Sequence, residues 1–341
     1  MNRMRTEDFH YHLPEELIAQ DPVPRGESRL LVCNKQTRTI EDNSFQDFPD
    51  YLQPGDVLIL NDSRVIARRL FAHTENGKEA ETLLLRPRGD SEWEALVRPG
   101  RRLRPGHTVY FTLRNNSVAE AKVTEITPEG GRVLRFDNSD IRDSLKEEGF
   151  VPLPPYIHNV LDDEERYQTV YSGPPGSAAA PTAGLHFSET MLAEIKNRGI
   201  NIGKITLHVG IDTFRPVKEA EVEMHQMHGE WFTIPEETAD MINNAKGRVV
   251  AIGTTCVRAL ESAAIDQGII QPATMNTHLF ILPGYRFKIV QAMLTNFHLP
   301  ESTLLMLISA FAGREWILQA YEHAVKERYR FFSFGDAMLI L

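Results

Sequence analysis

Between Ala67 and about Phe150 the chain stops alternating between strand-like and helix-like segments and becomes a run of short strands alone. ETLLLRP, EWEALVRPG, HTVYFTL, VAEAKVTEI and GRVLRFD follow one another there. Pro, Gly and Asn punctuate them at roughly the 8–12-residue spacing of an all-β barrel or sandwich. On both sides of this stretch strands alternate with helices. Few architectures accommodate that order. It predicts an α/β main domain with a mixed sheet, interrupted by an inserted small antiparallel β-barrel. The expected boundaries are 1–66 plus 152–341 for the discontinuous main domain and 67–151 for the insertion.

Within the main domain, the stretch TNFHLPESTLLMLISAFAG, from Thr295 to Gly313, is the most informative. Pro300, Glu301 and Ser302 precede an apolar run from Leu304 to Ala312, and Gly313 ends it, a pattern of helix start and stop signals. A helix apolar on nearly every side is buried all round. At about 10 residues it is too short to cross a bilayer, which needs about 20. Its N-terminus offers free backbone N–H groups beside Thr295, Asn296 and His298, a place for an anionic or polar small molecule. A core helix with a polar cap is the plainer alternative.

Three further stretches carry polar groups at element ends. The apolar strand Val57–Leu60 ends in Asn61, Asp62, Ser63 and Arg64, where α/β folds often place site residues and where an ordinary Asx turn also fits. The small-residue string Ala178 to Gly184 contains Thr182 and leads to His186; lacking side-chain bulk, it lets something approach its backbone, as a ligand wall or as a tight strand-to-helix joint. Gly253-Thr254-Thr255 turns a strand into a helix with Arg258 one turn in, a seat for a carboxylate or phosphate. It lacks the spaced glycines of a dinucleotide fingerprint. His225 and His228 form an H-x-x-H without the neighbours a zinc site needs, so no metal is expected.

The net charge of −10 argues against nucleic acid until its distribution is considered. Residues 67–151 hold 15 Lys and Arg against 14 Asp and Glu, so the acidity lies in the main domain. The run RPGRRLRPG places Arg98, Arg101, Arg102 and Arg104 in a turn of the inserted domain, where arginines can meet a phosphate backbone or simply be solvated. Two cysteines, Cys33 and Cys256, suit a reducing compartment. The N-terminal MNRMRTEDFHYHLPEEL has no export pattern. A cytoplasmic protein with no membrane partner is expected. With no heptad seam, a monomer is the default.

Seven ordered blocks resemble the S-adenosylmethionine:tRNA ribosyltransferase-isomerase family of queuosine biosynthesis: LPEELIAQDPVPRGESRLLV, GDVLILNDSRVIARRL, AAPTAGLHF, ITLHVGIDTFRPV, RVVAIGTTCVRALES, PGYRFKIVQAMLTNFHLPESTLLMLISAFAG and YRFFSFGDAML. One position departs from the expected Gly-x-Gly-Thr-Phe: Asp212 stands where the second glycine would. The resemblance implies an α/β domain interrupted by a β-barrel. It also implies a reaction that passes the ribosyl part of S-adenosylmethionine to 7-aminomethyl-7-deazaguanine at the tRNA wobble position, giving epoxyqueuosine-tRNA, adenine and methionine. No metal or redox cofactor is implied, because the sulfonium is the activating group.

That chemistry needs a base for a C5′ proton and favours an acid for the departing adenine. His186, His208 and His298 are the candidates, with roles unassigned. The resemblance further suggests Gly253, Thr254, Thr255 or Arg258 for the methionine carboxylate. Asn61, Asp62 and Arg64 are suggested for the ribose or the base, and Phe297 or Phe214 for stacking. Thr182, Gly184, Thr295 and Asn296 complete the expected wall. A non-catalytic tRNA-binding protein is the rival reading, and a metal-dependent hydrolase a weaker one.

Overall fold

The computed structural model of the protein describes residues 4–89, 91–113, 117–127, 130–137, 150–159, 161–210, 217, 219–266 and 268–341. It forms two compact units. One comprises Met1–Ser63, Pro154–Pro174 and Ala180–Leu341, the other Arg64–Leu153 with Pro175–Ala179. Pro175–Ser177 joins the second unit because it pairs in parallel with Arg64–Val65, a two-residue bridge that leaves no periodic trace in the sequence.

The first unit opens with β1 (Arg29–Asn34), β2 (Thr39–Ser44) and β3 (Val57–Asn61). The second unit follows with β4 (Arg68–Thr74), β5 (Glu79–Pro87), β6 (Glu92–Arg98), β7 (Thr108–Thr112), β8 (Val118–Ile126) and β9 (Arg132–Phe136). The first unit resumes with α1 (Glu189–Asn197), β10 (Asn201–Leu207), β11 (Glu230–Ile234) and α2 (Glu236–Asn243). Then come β12 (Val249–Ile252), α3 (Thr254–Ala263), β13 (Ala273–Thr277) and β14 (Ala292–Asn296). The chain ends with α4 (Thr303–Ala312), α5 (Arg314–Lys326) and β15 (Ala337–Ile340).

The first unit is built on a nine-stranded mixed sheet of order β13-β11-β10-β3-β12-β14-β15-β1-β2. Its four central strands, β10, β3, β12 and β14, run parallel. β3 and β14 are buried at every residue, as expected of strands covered on both faces. Adjacent parallel strands put all their carboxyl ends on one edge of the sheet. β3 has β10 on one side and β12 on the other, so strand order reverses there, the point at which open α/β sheets leave a crevice.

The second unit is a closed barrel of order β9-β6-β5-β4-β7-β8, antiparallel throughout. Residues of β8 alternate between exposed and buried, and inward side chains such as Trp93, Phe111, Val123 and Phe136 fill the interior. The barrel-in-an-α/β-domain expectation is therefore met.

The apolar run is helix α4. It starts one turn later than the sequence suggested: Ser302 caps it by accepting the Leu305 N–H at 3.2 Å, while Pro300 and Glu301 lie in the preceding turn. Gly313, with φ 95°, ends it.

Candidate active site

The carboxyl ends of the four central strands supply most of the residues that sequence reasoning singled out. β3 ends at Asn61, β10 leads into His208, β12 into Gly253-Thr254-Thr255, and β14 into Phe297 and His298. Two adjoining cavities open there, sharing Thr254, Thr255 and Leu304 as a common wall.

Thr182, Thr295, Asn296 and His298 line the first cavity together with Gly253. Asn296 is the hub of three hydrogen bonds. Its Nδ2 donates to His186 Nε2 at 3.1 Å and to the Phe332 carbonyl at 3.2 Å, and its Oδ1 accepts from Thr182 Oγ1 at 3.2 Å. Because Asn296 donates to Nε2, the proton of neutral His186 sits on Nδ1, which donates to Ser28 Oγ at 2.8 Å. Burial pushes the His186 pKa down to about 4. His186 is thus a neutral ring with both nitrogens engaged. It braces Asn296 and does not line the cavity.

His298 does line it. Its Nε2 shares a hydrogen bond with Thr295 Oγ1 at 2.7 Å, and its backbone N–H donates to the Tyr321 hydroxyl at 2.9 Å. Burial holds its pKa down at about 3, so at neutral pH it is an uncharged hydrogen-bonding group and a weak base. His208 lines neither cavity; it lies just beyond β10, its ring stacked on Trp231 at a centroid distance of 4.9 Å.

Several expected contacts are spent within the protein. Asn61 Oδ1 accepts the Leu207 and Ser63 N–H groups at 2.9 and 3.2 Å, and its Nδ2 donates to the Leu207 carbonyl at 3.0 Å. It is a cross-link between β3 and β10. Asp62 accepts from Thr206 Oγ1 at 2.7 Å, and burial raises its pKa. Arg64 belongs to the barrel unit. Phe297 also lines the first cavity, but it is 1% exposed and its ring packs among Tyr321, Tyr329 and Phe331. Phe214 and Asp212 lie outside the described residues.

Gly184 is explained by the protein's own packing. A Cβ there would sit 2.1 Å from the Tyr171 hydroxyl and 2.8 Å from Thr169 Cγ2, so what approaches this backbone is a tyrosine rather than a ligand. Gly184→Ala is expected to cost about 1–3 kcal/mol by overpacking. Urea unfolding checks this, and an unchanged midpoint would mean that Tyr171 moves aside freely.

Arg258 lines the second cavity, yet its charge is already matched. Nη1 donates to Glu230 Oε2, and Nε donates to the Leu279 carbonyl at 3.2 Å. Both partners are under 10% exposed, at 7% and 6% of the side chain. Of the two proposed carboxylate seats, the Gly253–Thr255 turn remains the open one. There Gly253, at φ 87°, starts α3 in a backbone conformation that side chains disfavour.

Sequence reasoning missed Tyr156 and Phe332, whose rings lie 4.6 Å apart and line the first cavity. Phe332 has φ 71°, a left-handed conformation rare for an aromatic residue. Nothing in VPLPPYIH or FFSFGD signals that the two meet. His225 and His228 both line the second cavity. Among the described residues no group of three or more His, Cys, Asp or Glu is arranged to hold a metal ion. In the barrel, Arg98, Arg101 and Arg104 are exposed. Their loop is held from inside by Arg132, which donates to the carbonyls of Gly100, Leu103, Gly130 and Gly131.

Residues 6–340 match the family described as queuosine biosynthesis protein. A protein of Natranaerobius thermophilus named S-adenosylmethionine:tRNA ribosyltransferase-isomerase is 50% identical over 99% of both chains. One of the same name from Acetivibrio thermocellus is 51% identical over 99% of this chain and all of its own. The crystal structure of S-adenosylmethionine tRNA ribosyltransferase from Thermotoga maritima is similar with a TM-score of 0.56 and 37% identity, covering 98% of this chain and 100% of that one.

Proposed function

The chain belongs to the queuosine biosynthesis protein family, and from that premise we infer that it is an S-adenosylmethionine:tRNA ribosyltransferase-isomerase. It transfers and isomerises the ribosyl moiety of S-adenosylmethionine onto 7-aminomethyl-7-deazaguanine at the tRNA wobble position, releasing adenine and methionine. End-to-end similarity to enzymes of that name carries this reading. Two adjoining cavities at the carboxyl edge of the sheet suit a reaction that must hold a nucleoside and a second base at once.

The sulfonium acidifies the adjacent carbon and activates the sugar, so the chemistry asks for positioned polar groups and no further cofactor. The methionine carboxylate rests at the start of α3, on the Gly253–Thr255 turn, where the helix dipole and free N–H groups favour an anion. His298 and Thr295 supply hydrogen bonds in the first cavity. The wobble base is single-stranded and turns out of its loop at little cost. Tyr156 and Phe332 give that cavity an aromatic wall for it. The exposed arginines of the barrel meet phosphates, and the protein works as a cytoplasmic monomer.

The decisive experiment is single-turnover transfer from S-adenosylmethionine labelled in its ribose to tRNA carrying the aminomethyl base. Label in the tRNA with equimolar free adenine is expected; bound tRNA with no transfer would leave the binding-protein reading. In the same system Arg101→Glu with Arg104→Glu is expected to weaken tRNA binding about tenfold and to lower its salt slope by about two. Wild-type affinity would remove that loop from the interface.

A further inference from the structure

The second cavity contains a histidine for which the reading above has no task. His225 follows the short turn Val222–Met224, and 16% of its side chain is exposed. Its Nδ1 lies 2.9 Å from Glu219 Oε2. A carboxylate only accepts, so the proton of that bond is on Nδ1 and Nε2 carries the lone pair. The ring is fixed further by Phe280, edge to face at 5.6 Å, and Glu219 by its carbonyl, which accepts from Thr6 Oγ1 at 2.5 Å. Nε2 has no hydrogen-bond partner among the described residues, and the residue lines the same cavity as Thr254 and Thr255. A carboxylate on one nitrogen, no partner among the described residues on the other, and a cavity beside the residue are the features of an oriented general base.

The other histidines fit that task poorly. His186 has both nitrogens engaged, and His298, its pKa held down by burial and its Nε2 bonded to Thr295, is a weak base. The titratable groups around His225 are Glu219 behind it, the mutually paired Arg258 and Glu230, and His228 in the same cavity. His278 has its Nδ1 3.2 Å from the carbonyl of Met227, which lines the cavity.

We propose that His225 is the base that removes the C5′ proton of S-adenosylmethionine, with Glu219 as its positioning residue. The inference rests on the ribosyl-transfer reading. Nε2 takes the proton; the electron pair of the broken C–H bond stays on carbon beside the positive sulfur; and the new imidazolium is matched by the Glu219 carboxylate. Adenine then departs with its bonding pair and takes up that proton, which leaves the ring neutral again.

The test uses S-adenosylmethionine tritiated at C5′ with tRNA carrying the aminomethyl base, following tritium release to water and ribosyl transfer to tRNA together. His225→Gln is expected to slow both by about 10²–10⁴-fold, the usual contribution of general base catalysis, with tRNA binding retained. Added imidazole is expected to restore part of the tritium release. Glu219→Gln is expected to move the acid limb of the kcat–pH profile to lower pH, because the imidazolium loses its counter-charge. A merely structural glutamate would lower the rate without moving the limb. Wild-type tritium release by His225→Gln overturns the assignment while the ribosyl-transfer reading stands. If His225→Gln fails to fold, Glu219→Gln decides, and an unmoved limb overturns the assignment. A wild-type enzyme that transfers no label brings down both.

Discussion

Lowering the pH from 7 to 5 is expected to destabilise the folded protein by about 2 kcal/mol for each of two buried rings, His186 and His298. Their folded pKa values, about 4 and about 3, lie below the ~6.5 of an exposed histidine, in both cases because burial disfavours the charged ring. Between those values and 6.5 the unfolded chain binds more protons than the folded one, so stability rises with pH there. It is fully present above the unfolded pKa and drains away as pH falls towards the folded values. Asp62 works in the opposite sense, since burial raises its pKa and acidification relieves the cost of its charge. The two effects separate in a comparison of urea unfolding at pH 7, 6 and 5 for the wild type and His298→Gln. The variant should show a slope shallower by up to about 1.4 kcal/mol per pH unit, one proton's worth. Parallel slopes would mean that His298 takes its proton within the folded state.

Glu230→Ala is expected to cost about 3–5 kcal/mol, the penalty for leaving one member of a buried ion pair without its partner. Arg258 would retain carbonyl contacts to Leu279 and Thr277 and lose its counter-charge in a site where its side chain is 7% exposed. Replacing both, as Glu230→Leu with Arg258→Met, is expected to recover most of that loss, because a well-packed apolar pair replaces two desolvated charges. Chemical denaturation of the wild type and the two variants checks this. A single variant within 1 kcal/mol of wild type would show that water reaches the pair.

The architecture was legible because two periodicities meet in one chain. β8 reads apolar at every second residue, whereas β3 reads VLIL without alternation, and the contrast separates a barrel strand from a buried parallel one. Site residues were legible where they are strand ends: Gly253, Thr254, Thr255, Thr295, Asn296 and His298 all border the first cavity. What escaped the sequence was partnership. Asn61 and Arg258 look like ligand-binding groups until the Leu207 backbone and Glu230 are seen to occupy them. Gly184 looks like a place for a ligand until Tyr171 fills it. His225, set aside for want of metal-site neighbours, gains its meaning from Glu219, and only the fold shows that the residue borders a cavity.

The insertion also has a consequence for how the chain is made. β3 lies at the middle of the sheet, yet Val57 pairs with Asn201 on one side and with Val249 on the other. At synthesis rates of about 5–20 residues per second, roughly 7 to 30 s separate the emergence of this strand from that of its first neighbour. Throughout that interval VLIL is an apolar segment with high strand propensity and no partner, the kind of sequence that recruits copies of itself. All six strands of the barrel emerge in the meantime, and their pairings span far fewer residues than the one from Val57 to Asn201. The nascent chain therefore carries every barrel strand while its central strand waits, and shielding those few residues until Asn201 arrives becomes a task for the cell rather than for the fold.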